Sequence, residues 1–104
     1  MLTSNQWTPF RDGISMIRLY GDGDSICSAA LLRYAPGARL PTHVHNGFEH
    51  IMVLSGTQSD ERGDYPAGAL VVNAPGTQHS VYSQHGCDVL VIWGASVTFI
   101  GDAV

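Results

Sequence analysis

Short apolar runs, each closed by turn-forming residues, recur along the whole chain, and nowhere does hydrophobicity take the 3.6-residue period of a helix. Ile14 to Tyr20, Ile26 to Tyr34, Ile51 to Leu54, Ala69 to Asn73, Ser80 to Ser83, Val89 to Trp93 and Val97 to Ile100 read as strands. Gly21 to Asp24, Ala35-Pro36-Gly37, Asn46-Gly47, Pro75-Gly76 and Gln84-His85-Gly86 read as the turns between them. Such a succession predicts an all-β barrel or sandwich. Residues 1–13 carry Trp7, Pro9, Phe10 and Asp12-Gly13 without a sustained period and are expected to form an N-terminal arm. Gly56 to Gly68 is polar and glycine-rich and reads as a connecting segment, and Pro41 argues against a central strand on the approach to His43.

Within this frame one stretch carries chemistry. His43 and His45 are separated by one residue, and an extended His-Val-His places both imidazoles on the same side of a strand. Asn46-Gly47 is expected to reverse the chain and return Glu49 beside them. Two imidazoles and one carboxylate suit a divalent transition metal, whereas calcium or magnesium would call for mostly oxygen ligands. Pro75-Gly76 launches His79 toward the same region, which extends the set to three histidines and one glutamate.

The spacing of these residues resembles that of a known family. Gly37, five residues, His43-x-His45, three residues, Glu49, six residues and Gly56 resemble the first cupin motif without a departure. Gly68 followed by Pro75-Gly76-x-x-His79 resembles the second, with one extra residue before the proline, proline joined directly to glycine, and Ser83 where the cupin motif ends in asparagine. Over residues 28 to 93 the chain looks most like the cupin domain at the C-terminus of ChrR-type anti-sigma factors, on Asp60 to Gly68, Asn73-x-Pro75-Gly76-x-x-His79 and Gly86-Cys87. The resemblance implies a jelly-roll barrel over residues 1–104, with motif segments 37–56 and 68–83. It implies one divalent transition metal per chain on His43, His45, Glu49 and His79; zinc or iron is expected, and manganese, nickel or cobalt also fits. Among cupins this ligand set accompanies metal-dependent enzymes, so a dioxygenase-type reaction on a small oxygen-rich substrate is expected. The alternative from another class is a non-catalytic metal- or ligand-binding sensor. ChrR-type proteins carry an N-terminal sigma-binding zinc domain for which this chain offers no segment, so sigma-factor binding is not expected.

Composition narrows the field further. A net charge of −4 and five scattered basic residues, Arg11, Arg18, Arg33, Arg39 and Arg62, argue against nucleic acid as a partner. The absence of lysine excludes Schiff-base catalysis by a side-chain amine. Nothing resembles a signal peptide or a membrane-spanning run, and Cys27 and Cys87 form no zinc motif, so a cytoplasmic protein with free thiols and no membrane partner is expected. With 44% hydrophobic and 13% charged residues, an apolar outer face covered in a homodimer is expected.

Several residues near the motifs have a plainer reading. His50 alternates with Glu49 and is expected on the outer face or at a subunit interface, and His85 in a solvated turn. Cys87 reads as a buried small hydrophobe, and Trp93, Phe99 and Phe48 as core or cavity lining. Tyr34, Arg39, Gln78 and Tyr82 stand near enough to the motifs to reach a bound ligand.

Overall fold

The computed structural model describes residues 6–22 and 27–100; part of the expected Gly21 to Asp24 turn, and Ile26, lie outside them. The described chain is all β. Its strands are β1 (Thr8–Arg11), β2 (Ile14–Tyr20), β3 (Ser28–Tyr34), β4 (Arg39–His45), β5 (Glu49–Asp60), β6 (Gly63–Pro66), β7 (Leu70–Asn73), β8 (Gln78–Tyr82), β9 (Cys87–Trp93) and β10 (Val97–Phe99). Every pairing is antiparallel, in the order β1-β2-β3-β9-β5-β8-β4-β10, with β6 and β7 added along β5. The sheet curls on itself into the cupin jelly roll.

The curl is made within β5. Its first half pairs with β9 and β7, its second half with β6 and, at Ser59↔Tyr82, with β8. Between them the register shifts at Val53/Ser55, and Gly56 takes φ 72°. A Cβ at Gly56 would stand 2.2 Å from the Gly86 carbonyl oxygen, so only glycine permits this bend. Period-two alternation then fills the interior: Ile51 and Val53 on β5, Val89 and Val91 on β9, Ile14 and Met16 on β2, Leu32 and Tyr34 on β3, all buried.

Three sequence expectations change. The N-terminal residues are not a free arm, because Asp12-Gly13 closes a two-residue hairpin (Arg11↔Ile14) that adds Thr8–Arg11 to the sheet as β1. Gly56 to Gly68 is not a connector: β5 runs on to Asp60 and turns through Glu61-Arg62 into β6. Pro41 does lie in a strand with neighbours on both sides, yet at a break in the ladder. Pairing with β8 shifts between Leu40 and His43, and β10 pairs only with His43 to His45, so the missing N–H costs no ladder bond. No helix of the described residues is long and apolar enough to cross a membrane.

Candidate metal centre

His43 and His45 are held on β4 with one residue between them, and both imidazoles point inward with 1% exposure. The Asn46-Gly47 link brings Glu49 beside them, though not through a hairpin. β4 and β5 share no ladder, so the link crosses from one wall of the barrel to the other. Gly47 does not take the left-handed φ of a hairpin turn; it is needed because a Cβ there would meet the Ala95 amide nitrogen at 2.7 Å. The fourth residue arrives as expected from the Pro75-Gly76 turn, closed by Thr77 N–H donating to Ala74 O (3.2 Å), with Gly76 at φ 87°. That turn is latched to the first motif: Gly76 N–H donates to His45 O (2.8 Å), and His45 N–H to Thr77 O (2.9 Å). His79 therefore faces the histidine pair because its loop is tied to the strand that carries them.

The four side chains present their donor atoms to one point. His45 Nε2 lies 3.1 Å from Glu49 Oε1 and 3.2 Å from His79 Nε2, and His79 Nε2 lies 3.6 Å from Glu49 Oε1. One ligand atom from each of His43, His45, Glu49 and His79 falls within 4.8 Å of the others, and all four residues are buried. Two atoms each ~2.1 Å from a common ion stand ~3.0 Å apart at a right angle and ~3.4 Å apart at a tetrahedral one. The separations among His45, Glu49 and His79 fit three donors sharing one cation, with His43 beside them.

Each imidazole is oriented through its other nitrogen. His43 Nδ1–H donates to the Pro41 carbonyl (2.9 Å), and His79 Nδ1–H to Asp60 Oδ2 (3.1 Å). Thr77 Oγ1 gives its own proton to Ala74 O and so accepts from His45 Nδ1–H (3.0 Å). A carbonyl and a carboxylate can only accept, so all three rings turn an Nε2 lone pair inward. Glu49 is held just as firmly, by Asn73 Nδ2 on Oε1 (3.0 Å) and Trp93 Nε1 on Oε2 (2.8 Å). Behind these partners stands Arg62, whose guanidinium donates both to Asp60 Oδ2 (3.2 Å) and to Asn73 Oδ1. One arginine thus braces the partner of His79 and the partner of Glu49 together.

Charge follows this geometry. Burial works to raise the Glu49 carboxyl, but the His45 and His79 imidazoles facing it, which can donate through Nε2 once protonated, outweigh burial and hold the group well below the ordinary carboxylate range. Asp60 is lowered in the same way, its burial offset first by His79 and then by Arg62. Burial pushes His43 down, whereas His79 is raised because Glu49 and Asp60 outweigh its burial. A cavity adjoins the cluster, with about 20 Å³ open to the centre of a water molecule, walled by Leu40, Ile51, Val81 and Val91 with Tyr34 and Gln58 as its other polar groups. Burial raises the Tyr34 phenol, which stays protonated and able to donate.

The remaining sequence candidates sort as follows. His50 and His85 are exposed and outside the cluster, and Cys87 is buried. Tyr34, Trp93 and Phe99 line the cavity, while Phe48 is 54% exposed. Arg39 stacks over Tyr82 away from the cavity wall, and Gln78 is exposed. Asp60, Arg62 and Asn73 carry the family resemblance in the sequence but, like Thr77, are not named there as site residues. Asp60 and Arg62 fell in the presumed connector, and only the continuation of β5 past Gly56 brings them to His79.

Comparison with known proteins agrees with this architecture. The family model described as "ChrR Cupin-like domain" matches residues 2–97, and the chain belongs to that family. No curated protein matches it by sequence. Among solved structures, an RmlC-like cupin from Ralstonia eutropha superposes with a TM-score of 0.87 at 19% identity, covering 98% of this chain and 72% of that one. An acetylacetone dioxygenase from Acinetobacter johnsonii gives 0.86 at 17% identity, covering 98% and 76%. A chain of the Rhodobacter sphaeroides complex of SigE with the anti-sigma factor ChrR gives 0.75 at 25% identity; 85% of this chain is covered but only 49% of that one.

Proposed function

We propose that this member of the ChrR cupin-like family holds one divalent transition metal on His43, His45, Glu49 and His79 and acts as a dioxygenase-type enzyme on a small oxygen-rich molecule. The observation that carries the metal reading is the convergence of four donor atoms whose rings and carboxylate are each fixed from behind, an arrangement that serves no packing purpose and leaves lone pairs facing one another. The bound ion would supply Lewis-acid or redox chemistry, at a net site charge of +1 with one carboxylate among the ligands. The chain's own residues hold and orient. Asn73 and Trp93 fix both oxygens of Glu49, Asp60 fixes His79, and Tyr34 and Gln58 offer hydrogen bonds to a ligand oxygen inside an otherwise apolar wall. The dioxygenase assignment draws on the likeness to the Acinetobacter enzyme. Zinc or iron is the ion proposed.

Residues 1–104 are taken as one cupin domain, and as one half of a homodimer. The outer face of β5, β7 and β9 supports the dimer: Met52 pairs across to Leu70 and Leu90, and Val72 and Ile92 flank His50. Leu54, Leu70 and Val72 are exposed there. Membership of the ChrR family favours a second reading, a metal- or ligand-sensing module. Sigma-factor binding is not carried over, since the chain spans about half of the matched chain in the sigma-factor complex. Metal analysis of protein purified without added metal, followed by oxygen uptake with small diketones and catechol-like compounds, separates the readings. One ion per chain with turnover supports the enzyme, one ion without turnover the metal sensor, and no ion sinks both of these and leaves the ligand-sensing module.

A further inference from the structure

A second cavity lies on the outer side of the same aromatic wall. It is lined by Phe10, Arg18, Ser28, Trp93, Val97 and Phe99, with Ser96 at its margin, and it measures about 150 Å³. Four of these residues, Phe10, Trp93, Val97 and Phe99, also line the cavity beside the four-residue cluster, so the two spaces share that wall. Trp93 lines both spaces and donates its N–H to Glu49.

The chemistry of this outer space is specific. Its walls are mostly aromatic or aliphatic, no acidic side chain is among the described residues that line it, and its one charge is Arg18. The Arg18 guanidinium sits 5.9 Å from the Trp93 ring centroid, and that of Arg11, which is not part of the lining, sits 3.9 Å over Phe99, so two of the three rings of the partition have a cation beside them. In a chain of net charge −4 this is a local reversal of sign. Size narrows the occupant further. An apolar cavity of about 150 Å³ is known to take up benzene, whereas drug-sized ligands occupy roughly 300–1,000 Å³.

We propose that this outer cavity is a subsite for a ring-sized monoanion, its flat body against Trp93 and Phe99 and its carboxylate on the Arg18 guanidinium. The subsite selects a small aryl or enol carboxylate over its neutral counterpart. That such a ligand is the substrate rests on the metal reading above, while the preference for an anion stands on the cavity alone.

Benzoate and benzamide have nearly the same size and shape and differ in charge, which makes them the probes. Each is titrated calorimetrically into the full chain, both stripped by chelator and loaded with zinc, in the parent and in Arg18→Gln. Arg18 is exposed, so the substitution leaves the fold intact. The parent is expected to bind benzoate ~10-fold more tightly than benzamide, as a charge-assisted hydrogen bond supplies. Arg18→Gln is expected to abolish that preference while benzamide binding stays within ~2-fold of the parent, and added salt should weaken benzoate alone. Equal affinities in the parent, no binding of either probe, or a preference that survives in Arg18→Gln overturns the subsite. Failure to take up zinc with the benzoate preference intact overturns the metal reading instead.

Discussion

Glu49 and His50 are neighbours in sequence and opposites in fate, and the two faces of β5 differ as they do. On the inner face Glu49, Ile51 and Val53 are 3%, 3% and 1% exposed, and the one polar group among them has a partner on each carboxylate oxygen. On the outer face His50, Met52 and Leu54 alternate with them at the surface or half-buried, and His50 has no comparable set of partners. Over Glu49 to Leu54 both faces are mainly apolar with a single ionisable residue. What separates them is what stands behind the ionisable group: buried donors hold Glu49 at the candidate metal centre, whereas His50 is left a surface histidine.

The comparison breaks most sharply at His79. His79→Ala is expected to lose stoichiometric metal and with it the metal-dependent rise in melting temperature. Metal at 100 times its dissociation constant adds about 2.7 kcal/mol, and in a domain near this size each 1 kcal/mol moves the midpoint by ~4–8 °C. Differential scanning fluorimetry with and without zinc reads the loss directly, and an unchanged shift would remove His79 from the ligands.

Protons should compete with metal in a defined order. Glu49 stays ionised through mild acid because its carboxyl is held down, so the imidazoles govern the loss. A raised His79 takes up a proton before an ordinary imidazole would as pH falls, and the lowered His43 resists longer than one. In the metal-free protein the sign for His79 is the reverse. Its raised pKa contributes stability that is complete below the unfolded value and lost as pH rises through the folded one. Zinc affinity measured by competition should therefore already be falling slightly above neutral-imidazole pH, while apo stability gains from His79 over the same descent. Affinity that holds constant down to pH 5 would contradict this assignment.

A smaller effect is expected behind the ligands. Asp60→Asn and Arg62→Met leave all four donors in place but remove the brace on His79 and, through Asn73, on Glu49. Metal affinity should fall ~10–100-fold without loss of stoichiometry, and Arg62→Lys should restore only part of it. Wild-type affinity in Arg62→Met would make the arginine a surface residue. The outer face should give the converse result: Leu70→Asp is expected to yield a monomer by light scattering with metal affinity unchanged. A parent that is already monomeric at micromolar concentration would remove the dimer.

Much of this was legible in the sequence, for reasons that can be traced. Alternation separates Glu49 from His50 and groups His43 with His45, and Pro75-Gly76 fixes a turn by its own φ preferences, so the four residues of the candidate centre could be named from local rules. What local rules cannot reach is the bend at Gly56. Its requirement comes from the Gly86 carbonyl, thirty positions away, and without it Asp60 and Arg62 read as loop residues. Trp93 was seen as lining but not as the donor to Glu49, because that contact depends on β9 and β5 lying side by side (Glu49↔Trp93). Asp12-Gly13 was recognised as a turn, yet its β1 partner was missed, since Thr8 to Arg11 carries a proline and little alternation.

The most direct test of the difference between the two faces is zinc titration calorimetry on chelator-stripped parent, Glu49→Ala and His50→Ala. The account predicts one equivalent bound by the parent and by His50→Ala with matching affinity, and loss of that binding in Glu49→Ala. Loss in His50→Ala with retention in Glu49→Ala would contradict it and shift the site to the other face of the strand.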